Sequence, residues 1–510
     1  MHLYVFHYHL LPGGVTTVVR DGARALLAHR DLLPALERLV VVAGGADDGG
    51  LGAPVERCRL DAAGYDDAPA TAAGQRQLAD LLGRRFGDGV WWVHNHHLAK
   101  NTCFTGAVLL AAAAGQPMIL QIHDFPENAR PANLARLRRE VPASAYPAGD
   151  NVRYAVLNRR DHDALTGAGC PGDRIALLGN PVRPATSVPA PAAATARAAR
   201  ARLAAASAAG AAGPSAGSGA FDSERPLWLY PVRVRRRKNV LEAGLLARLA
   251  GANLVVTLPA SSAAETPYAR AVERLFADGA IPGLYGVGER IDALGLRFDD
   301  LLAAAHLIVS PSVEEGFGFQ FVNALQWRRP LLARRLPVLD DLRGLLDGYP
   351  AAVYDAVHCP LTRAERDALR AAYEPAAERA ARLLPEDAGA HLRAGLDTIL
   401  SGDTVDFSYL GTAQQAALLR RCGDPGVARE LRQANAVLLD TVQALPHRPL
   451  PDRDEPIEAA FGEAAFARRA AALLAPLFAA GSGAANPDID PAAVQRAFAK
   501  PAALRLLMES

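Results

Sequence analysis

Short apolar runs alternating with helical stretches, twice over, constrain this chain more than any other feature. The first series is LYVFHYH (3–9), LVVVAGG (39–45), VWWVHNH (90–96), MILQIHDF (118–125), YAVLN (154–158) and RIALLGNPV (174–182). Helical patterns such as GVTTVVRDGARALLAH (14–29) lie between them. Runs that are apolar throughout need cover on both faces, and strand–helix–strand repetition supplies it around a parallel sheet. A second series follows: PLWLYPVRV (226–234), NLVVTLP (253–259), GLYGVG (283–288), HLIVSPS (306–312) and PLLARRL (330–336). Between the two, residues 184–224 are almost all small; the flanks read as flexible linker, and the alanine–arginine middle can form a helix. Beyond about residue 360 helical patterns dominate. The expected fold class is α/β, with doubly wound units over 1–185 and 225–350, a linker or insertion over 186–224, and a mainly helical extension over 351–510. Such sheets bind ligands at the carboxyl ends of their strands, so a cleft between the halves is the expected site.

A chain of 510 residues is too long for one core, in line with that division. Its 55 basic and 54 acidic residues leave a formal charge of +1, so no global field draws it to nucleic acid or membrane. Five scattered cysteines (Cys58, Cys103, Cys170, Cys359, Cys422) form no CxxC pair, which favours a reducing compartment. The N-terminus lacks a basic signal-peptide region, and no apolar run reaches the roughly 20 residues of a membrane span. The expectation is a cytoplasmic protein without an integral membrane segment.

Two stretches of the second half carry chemistry. YPVRVRRRKN (230–239) leaves a strand and enters a helix, placing Arg233 and Lys238 about a turn where free N–H groups favour an anion. An arginine fork with a lysine point charge suits a diphosphate; a solvated basic face is the competing reading. HLIVSPSVEEGFGF (306–319) runs from a strand into a turn in which Gly316 and Gly318 allow close backbone approach. Glu315 sits in that turn and Asn323 about two helical turns on, so both can face one cleft; a carboxylate accepts from sugar hydroxyls, and an amide accepts and donates. The competing reading is a loop glutamate capping its own helix.

In the first half, His7, His9, His94, His96, His97 and His123 gather at three strand ends. Histidines satisfied by nearby backbone, a metal site built on His94, His96 and Asp124, and a sugar-binding rim of His94, Asn95, His96, His97 and Asp124 are the three readings. No metalloenzyme spacing such as HExxH is present. Gly13 and Gly14 open a helix after the first strand and leave N–H groups free for a phosphate or acceptor oxygen.

These stretches resemble the retaining GT-B glycosyltransferases, especially family four. The Arg-x4-Lys pair of that family is matched by Arg233 and Lys238, and its Glu-Gly-Phe-Gly loop by Glu315, Gly316, Phe317 and Gly318. SPS before the loop and PLLA after it also agree. The family's Glu-x7-Glu pattern is broken, because Asn323 stands where the second glutamate grips a ribose diol. Without that charge the contact weakens by roughly 1 kcal/mol. The resemblance covers roughly residues 1–345 apart from the linker.

The resemblance implies two Rossmann-like domains facing a cleft, and a late helix crossing back to the first. Arg233, Lys238, Glu315, Gly316, Phe317, Gly318 and Asn323 would bind the donor. His123, reaching the sugar near its reacting carbon, would act with Glu315, Arg233 and Lys238 in catalysis. The implied reaction moves a hexose from a nucleotide sugar, such as UDP-glucose or GDP-mannose, to a hydroxyl of a saccharide or small acceptor. Anomeric configuration would be retained, with no cofactor and no metal. A sugar-nucleotide-binding protein without turnover, a phosphorylase of related fold and an interaction scaffold are the alternatives. Deletion of 360–510, inorganic phosphate dependence and nucleotide binding distinguish them.

Overall fold

Every neighbouring strand pair in the two large sheets is parallel, as strands buried on both faces require. The computed structural model describes all residues except 46–50, 53–54, 142, 184–192, 209–220, 480–488 and 508–510. In the first half, β1 (His2–His7), β2 (Arg38–Ala43), β3 (Glu56–Arg59), β4 (Gly89–His94), β5 (Met118–Ile122), β6 (Val152–Val156) and β7 (Ile175–Leu177) form one sheet in the order β3-β2-β1-β4-β5-β6-β7. In the second half, β8 (Leu227–Arg233), β9 (Asn253–Leu258), β10 (Gly283–Leu284), β11 (Leu307–Ser310), β12 (Leu331–Arg334) and β13 (Ala351–Tyr354) take the order β10-β9-β8-β11-β12-β13.

Both orders reverse once, between β1 and β4 in the first sheet and between β8 and β11 in the second. At such a switch point the loops on either side diverge to opposite faces and leave a crevice beyond the strand ends. The loops over that crevice are therefore 8–13 and 95–101 in one unit, and 234–239 and 311–318 in the other.

The sequence reading misses two strands of the large sheets, and also a short antiparallel pair, His358–Pro360 with Thr404–Asp406, inside the extension. β3 is a charged edge strand, ERCR, and β13 is a short AAVY placed in the expected helical extension. β13 extends the second sheet beside β12, so the second unit runs past residue 350. In the small-residue segment the alanine–arginine middle forms the helix that its composition allows. Residues Ala193–Ala208 form a helix, and Ala199 and Leu203 are buried with Leu301 and Leu302 against the second sheet. Alanine's helix propensity builds this element and its two buried positions anchor it. The flanks expected to be flexible lie outside the described residues.

The extension is core rather than appendage. Leu369, Tyr373, Leu392, Leu419 and Leu431 pack with the second sheet. Arg334 on β12 is fully buried and bridges Glu242, at 2.6 Å, and Asp406, at 2.8 Å. The chain then crosses over: Phe466 and Leu474 of the helix Glu463–Ala479 enter the first unit's core, and Phe466 stacks on Trp92 with centroids 6.3 Å apart. Val494 and Phe498 also pack there, and Leu504 and Leu507 return to the second unit. A cation buried between two anions must stay paired, since removing one partner strands the others.

Gly22 explains how the crossing helix sits so close. A Cβ there would meet the Phe466 ring at 3.1 Å. Phe466→Ala should destabilise the first unit by about 3–5 kcal/mol, the cost of emptying a buried aromatic site. Urea unfolding followed by tryptophan fluorescence, with Trp92 as reporter, measures it.

Candidate functional site

The turn after β8 is stitched to the turn after β11, and this joint positions the site. Tyr230, buried on β8, donates its hydroxyl to Lys238 O at 2.7 Å and lies 3.0 Å from the Ser312 hydroxyl. Val313 N donates to Arg237 O at 2.9 Å. Asn239 adopts φ 51°, a left-handed conformation that asparagine tolerates, and its amide reaches Glu242 at 2.8 Å and Pro311 O at 3.3 Å. The helix Val240–Ala250 begins at that residue.

On this joint Glu315 meets two cations. Its carboxylate accepts from Lys238 Nζ and, at 3.3 Å, from Arg237, which also donates to Glu314 O at 2.9 Å. The Glu315 side chain is only 9% exposed. Burial alone would raise its pKa, but the charges of Lys238 and Arg237 outweigh burial and hold it at about 2. Burial lowers Lys238 below its usual value while Glu315 opposes the shift, and Arg237 is raised despite burial because Glu315 faces it. The result is a compact, low-dielectric arrangement of fixed charge, the kind that stabilises charge developing on a ligand.

Arg233 lies at the end of β8 and donates to Pro259 O at 3.2 Å. The cations that hydrogen-bond Glu315 are Lys238 and Arg237, so Arg237 is a site residue the sequence reading passed over inside its own basic run. Arg236, from the same run, is buried and holds Ser408 O and Leu410 O of the extension, a structural task. Asn323 is half-buried in the second turn of the helix Phe319–Gln326. Gly318 caps that helix at φ 81°. Phe317 is buried against Phe319 and Phe461, with centroids 4.8 and 5.0 Å away, so its ring packs the fold rather than lining the donor side.

The two units meet through the same loop. A Cβ on Gly316 would come within 2.8 Å of His123 O, so this glycine permits contact between units. Asn158 donates to Gly316 O at 2.8 Å, and Arg160 pairs with Glu314 at 2.9 Å. These partners open the helix Arg159–Gly167, and neither was a sequence-level candidate.

The histidine rim is corrected by burial. His96 and His97 have no exposed surface; His96 Nε2 meets Ala145 O at 2.8 Å, and His97 packs on Phe125 and Tyr146. Asn95, at φ 54°, accepts from His123 N at 2.8 Å and is buried. His94 is buried, stacked on Trp92, and its Nδ1 is 2.8 Å from His123 Nε2. The loops after β4 and β5 fold over their own strand ends, so backbone-satisfied histidine describes His96 better than a sugar rim. Burial lowers the pKa of His7 to about 3 and of His123 to about 4, which keeps both neutral. His123 nonetheless lines the cleft cavity, and Asp124 beside it is accessible and pairs with Arg130 at 2.9 Å. Gly13 and Gly14 are exposed; Gly13 precedes the helix Gly14–Ala28 without a side-chain cap. Among the described residues no group of three or more His, Cys, Asp or Glu side chains could hold a metal ion.

Between the units lies a cavity of about 480 Å³, lined by His123, Asp124 and Arg130 on one side and by Arg235, Arg237 and Tyr268 on the other. Two doubly wound units facing a cleft between their switch points are the GT-B architecture, with a glutamate–lysine–arginine cluster on the second unit, and the similarity to a synthase supports a glycosyltransferase. No protein-family model matches the chain. It is 28% identical over 453 residues to the mannosylglucosyl-3-phosphoglycerate synthase of Petrotoga mobilis, spanning 87% of this chain and 85% of that protein. Among solved structures it is similar to Anabaena HepE in complex with UDP and glucose (13% identity, TM-score 0.46, 93% and 99% of the two chains). It is also similar to sucrose-phosphate synthase of Thermosynechococcus elongatus (15%, 0.48, 94% and 100%). No helix among the described residues is long and apolar enough to cross a membrane.

Glu127, in the loop carrying Asp124 and Arg130, is buried and accepts from the Tyr146 hydroxyl at 2.7 Å. Burial raises its pKa to about 7 against the partial opposition of that bond. The unfolded carboxyl ionises near its usual value while the folded one keeps its proton to about 7. Stability is therefore greatest at acid pH and falls as pH rises through that interval. Glu127→Gln should abolish this slope and recover about 3 kcal/mol at pH 8. Denaturant midpoints at pH 5, 6, 7 and 8 check it.

Proposed function

We propose that the chain transfers a hexose from a nucleoside-diphosphate sugar to an acceptor hydroxyl, with retention of configuration and without a metal ion. The observation that carries this reading is the buried Glu315 carboxylate held between Lys238 and Arg237 at the second unit's switch point. Fixed cations there suit a diphosphate leaving group, and a carboxylate locked in its ionised state suits the hydroxyls of the attached sugar.

In the proposed step the bond between the anomeric carbon and the diphosphate oxygen breaks, and the electron pair leaves with the diphosphate. The acceptor oxygen bonds to that carbon on the same face, and its proton passes to the departing phosphate oxygen. Lys238 and Arg237 stabilise the growing negative charge, with Arg233 at the edge of the same turn. Neutral His123, beside the cleft, can hydrogen-bond a sugar hydroxyl. Gly13 and Gly14 offer N–H groups from the first unit. Asn323 takes a ribose hydroxyl without the charge that a glutamate would bring. Similarity to the Petrotoga mannosylglucosyl-3-phosphoglycerate synthase makes a mannosyl donor and a glucosylated phosphoglycerate the first pair to assay.

Thermal unfolding with UDP, GDP, ADP and their sugar conjugates tests the donor site. Ligand at about 100 times its dissociation constant should add about 2.7 kcal/mol to stability. Lys238→Met and Arg237→Ala should each remove most of that gain. Absence of a shift with every nucleotide at millimolar concentration rejects the reading. Stabilisation by inorganic phosphate alone would favour the phosphorylase instead.

A further inference from the structure

Two loops from the first unit and one from the second bring further cations to the cleft. Lys100 follows β4, Arg130 follows β5 and Arg235 follows β8. Tyr65, 58% exposed, lies beneath Lys100, whose Nζ is 5.9 Å from the ring centroid, and its edge meets His9 at 5.1 Å. Arg130, Arg235 and Asp124 all line the interdomain cavity. The charges of Arg235 and Arg130 both reach the Tyr65 hydroxyl, and those of Arg130 and Asp124 reach Lys100.

The neighbouring charges do not neutralise this group. Arg130 has Asp124. Arg136 is spent on Glu140, Asp67 and the carbonyls of Asp66, Ala68 and Ala99. Glu265 accepts from Arg236 N at 3.0 Å and acts on Arg235 through space without pairing with it. The Lys100 ammonium and the Arg235 guanidinium have no hydrogen-bond or ion-pair partner among the described residues, although both are largely withdrawn from solvent. Burial lowers the pKa of each, with Arg130 adding to the effect at Lys100 and Arg237 at Arg235. A partly desolvated cation without a contacting counter-charge is costly, and an anionic ligand relieves that cost.

We propose that Lys100, Arg130 and Arg235, with the Tyr65 hydroxyl, bind the phosphomonoester or carboxylate of an anionic acceptor, separately from the donor diphosphate. The proposal rests on the transferase reading above and names its acceptor class. Lys238 and Arg237 serve the donor from the second unit's switch point. Lys100, Arg130 and Tyr65 belong to the first unit, where the acceptor must approach. Phosphate prefers this combination, because an arginine fork and a lysine point charge satisfy different oxygens.

Calorimetric titration of the full chain with 3-phosphoglycerate tests the subsite, with UDP and GDP as donor-site probes. The expected result is binding by the wild type and a loss of about tenfold or more in affinity in both Lys100→Met and Arg235→Gln. The nucleoside diphosphate that binds should change by less than about twofold in the same variants. No binding of 3-phosphoglycerate at millimolar concentration, or binding that survives both substitutions, overturns the proposal. A parallel loss of nucleotide affinity also overturns it, because the cations would then serve the donor diphosphate. If no nucleotide binds while 3-phosphoglycerate shows the expected sensitivity, the anion subsite stands and the transferase reading falls.

Discussion

The ionised Glu315 carboxylate is the constraint around which the cleft is arranged. A carboxylate this far from solvent persists only if opposite charge compensates lost hydration, and Lys238 and Arg237 provide it from a different turn. The turns after β8 and β11 are thereby fixed to each other. The bonds of Tyr230 and Asn239 across the same joint share the load. Such a cluster is preorganised: its dipoles and charges are oriented before any ligand arrives, so little reorganisation is needed when charge develops nearby.

Three consecutive residues then do three different things. Glu314 reaches Arg160 in the first unit, Glu315 turns inward to the cations, and Gly316 offers its carbonyl to Asn158 and its missing side chain to His123. Site assembly and the seating of one unit on the other are thus coupled through one loop. The extension reinforces the seating, since Phe461 packs on Phe317 while Phe466, a few residues on, enters the first unit's core.

What the sequence made legible follows from which signals are local. Continuous apolar strands announced both parallel sheets, and the glycine turn after β11 announced the candidate site. β3 stayed hidden because an edge strand of charged residues carries no apolar pattern. β13 stayed hidden because four residues inside a helical region leave no period to read. Lys238 and Glu315 were identifiable, but their pairing with Arg237 rather than Arg233 depends on how the turn folds, which spacing does not encode. The histidines misled for a related reason. Strand-end position was read correctly, yet the covering loops, which bury His96 and His97 entirely, come from residues about 30 to 50 positions away. Arg160 and Asn158 act on the opposite unit, a relation that only the tertiary structure supplies.

The distribution of charge across the cleft bears on how the two units work together. Lys100 and Arg130 project from the first unit and Arg235 from the second; of the nearby carboxylates only Asp124 pairs with one of them, so Lys100 and Arg235 keep uncompensated charge. Like charges on opposing walls resist closer approach, most strongly where the walls exclude water. The latch from Asn158 and Arg160 to the loop at 314–316 pulls the other way. An anion seated between the walls would convert the repulsive set into an attractive one, so acceptor binding and domain approach would favour each other by the same free energy. The cluster at the second unit's switch point is nearer balance, because Glu315 offsets one of the two charges of Lys238 and Arg237. On the proposed reading, an anionic acceptor is the ligand whose charge these opposing walls lack, and its binding and the approach of the walls support each other.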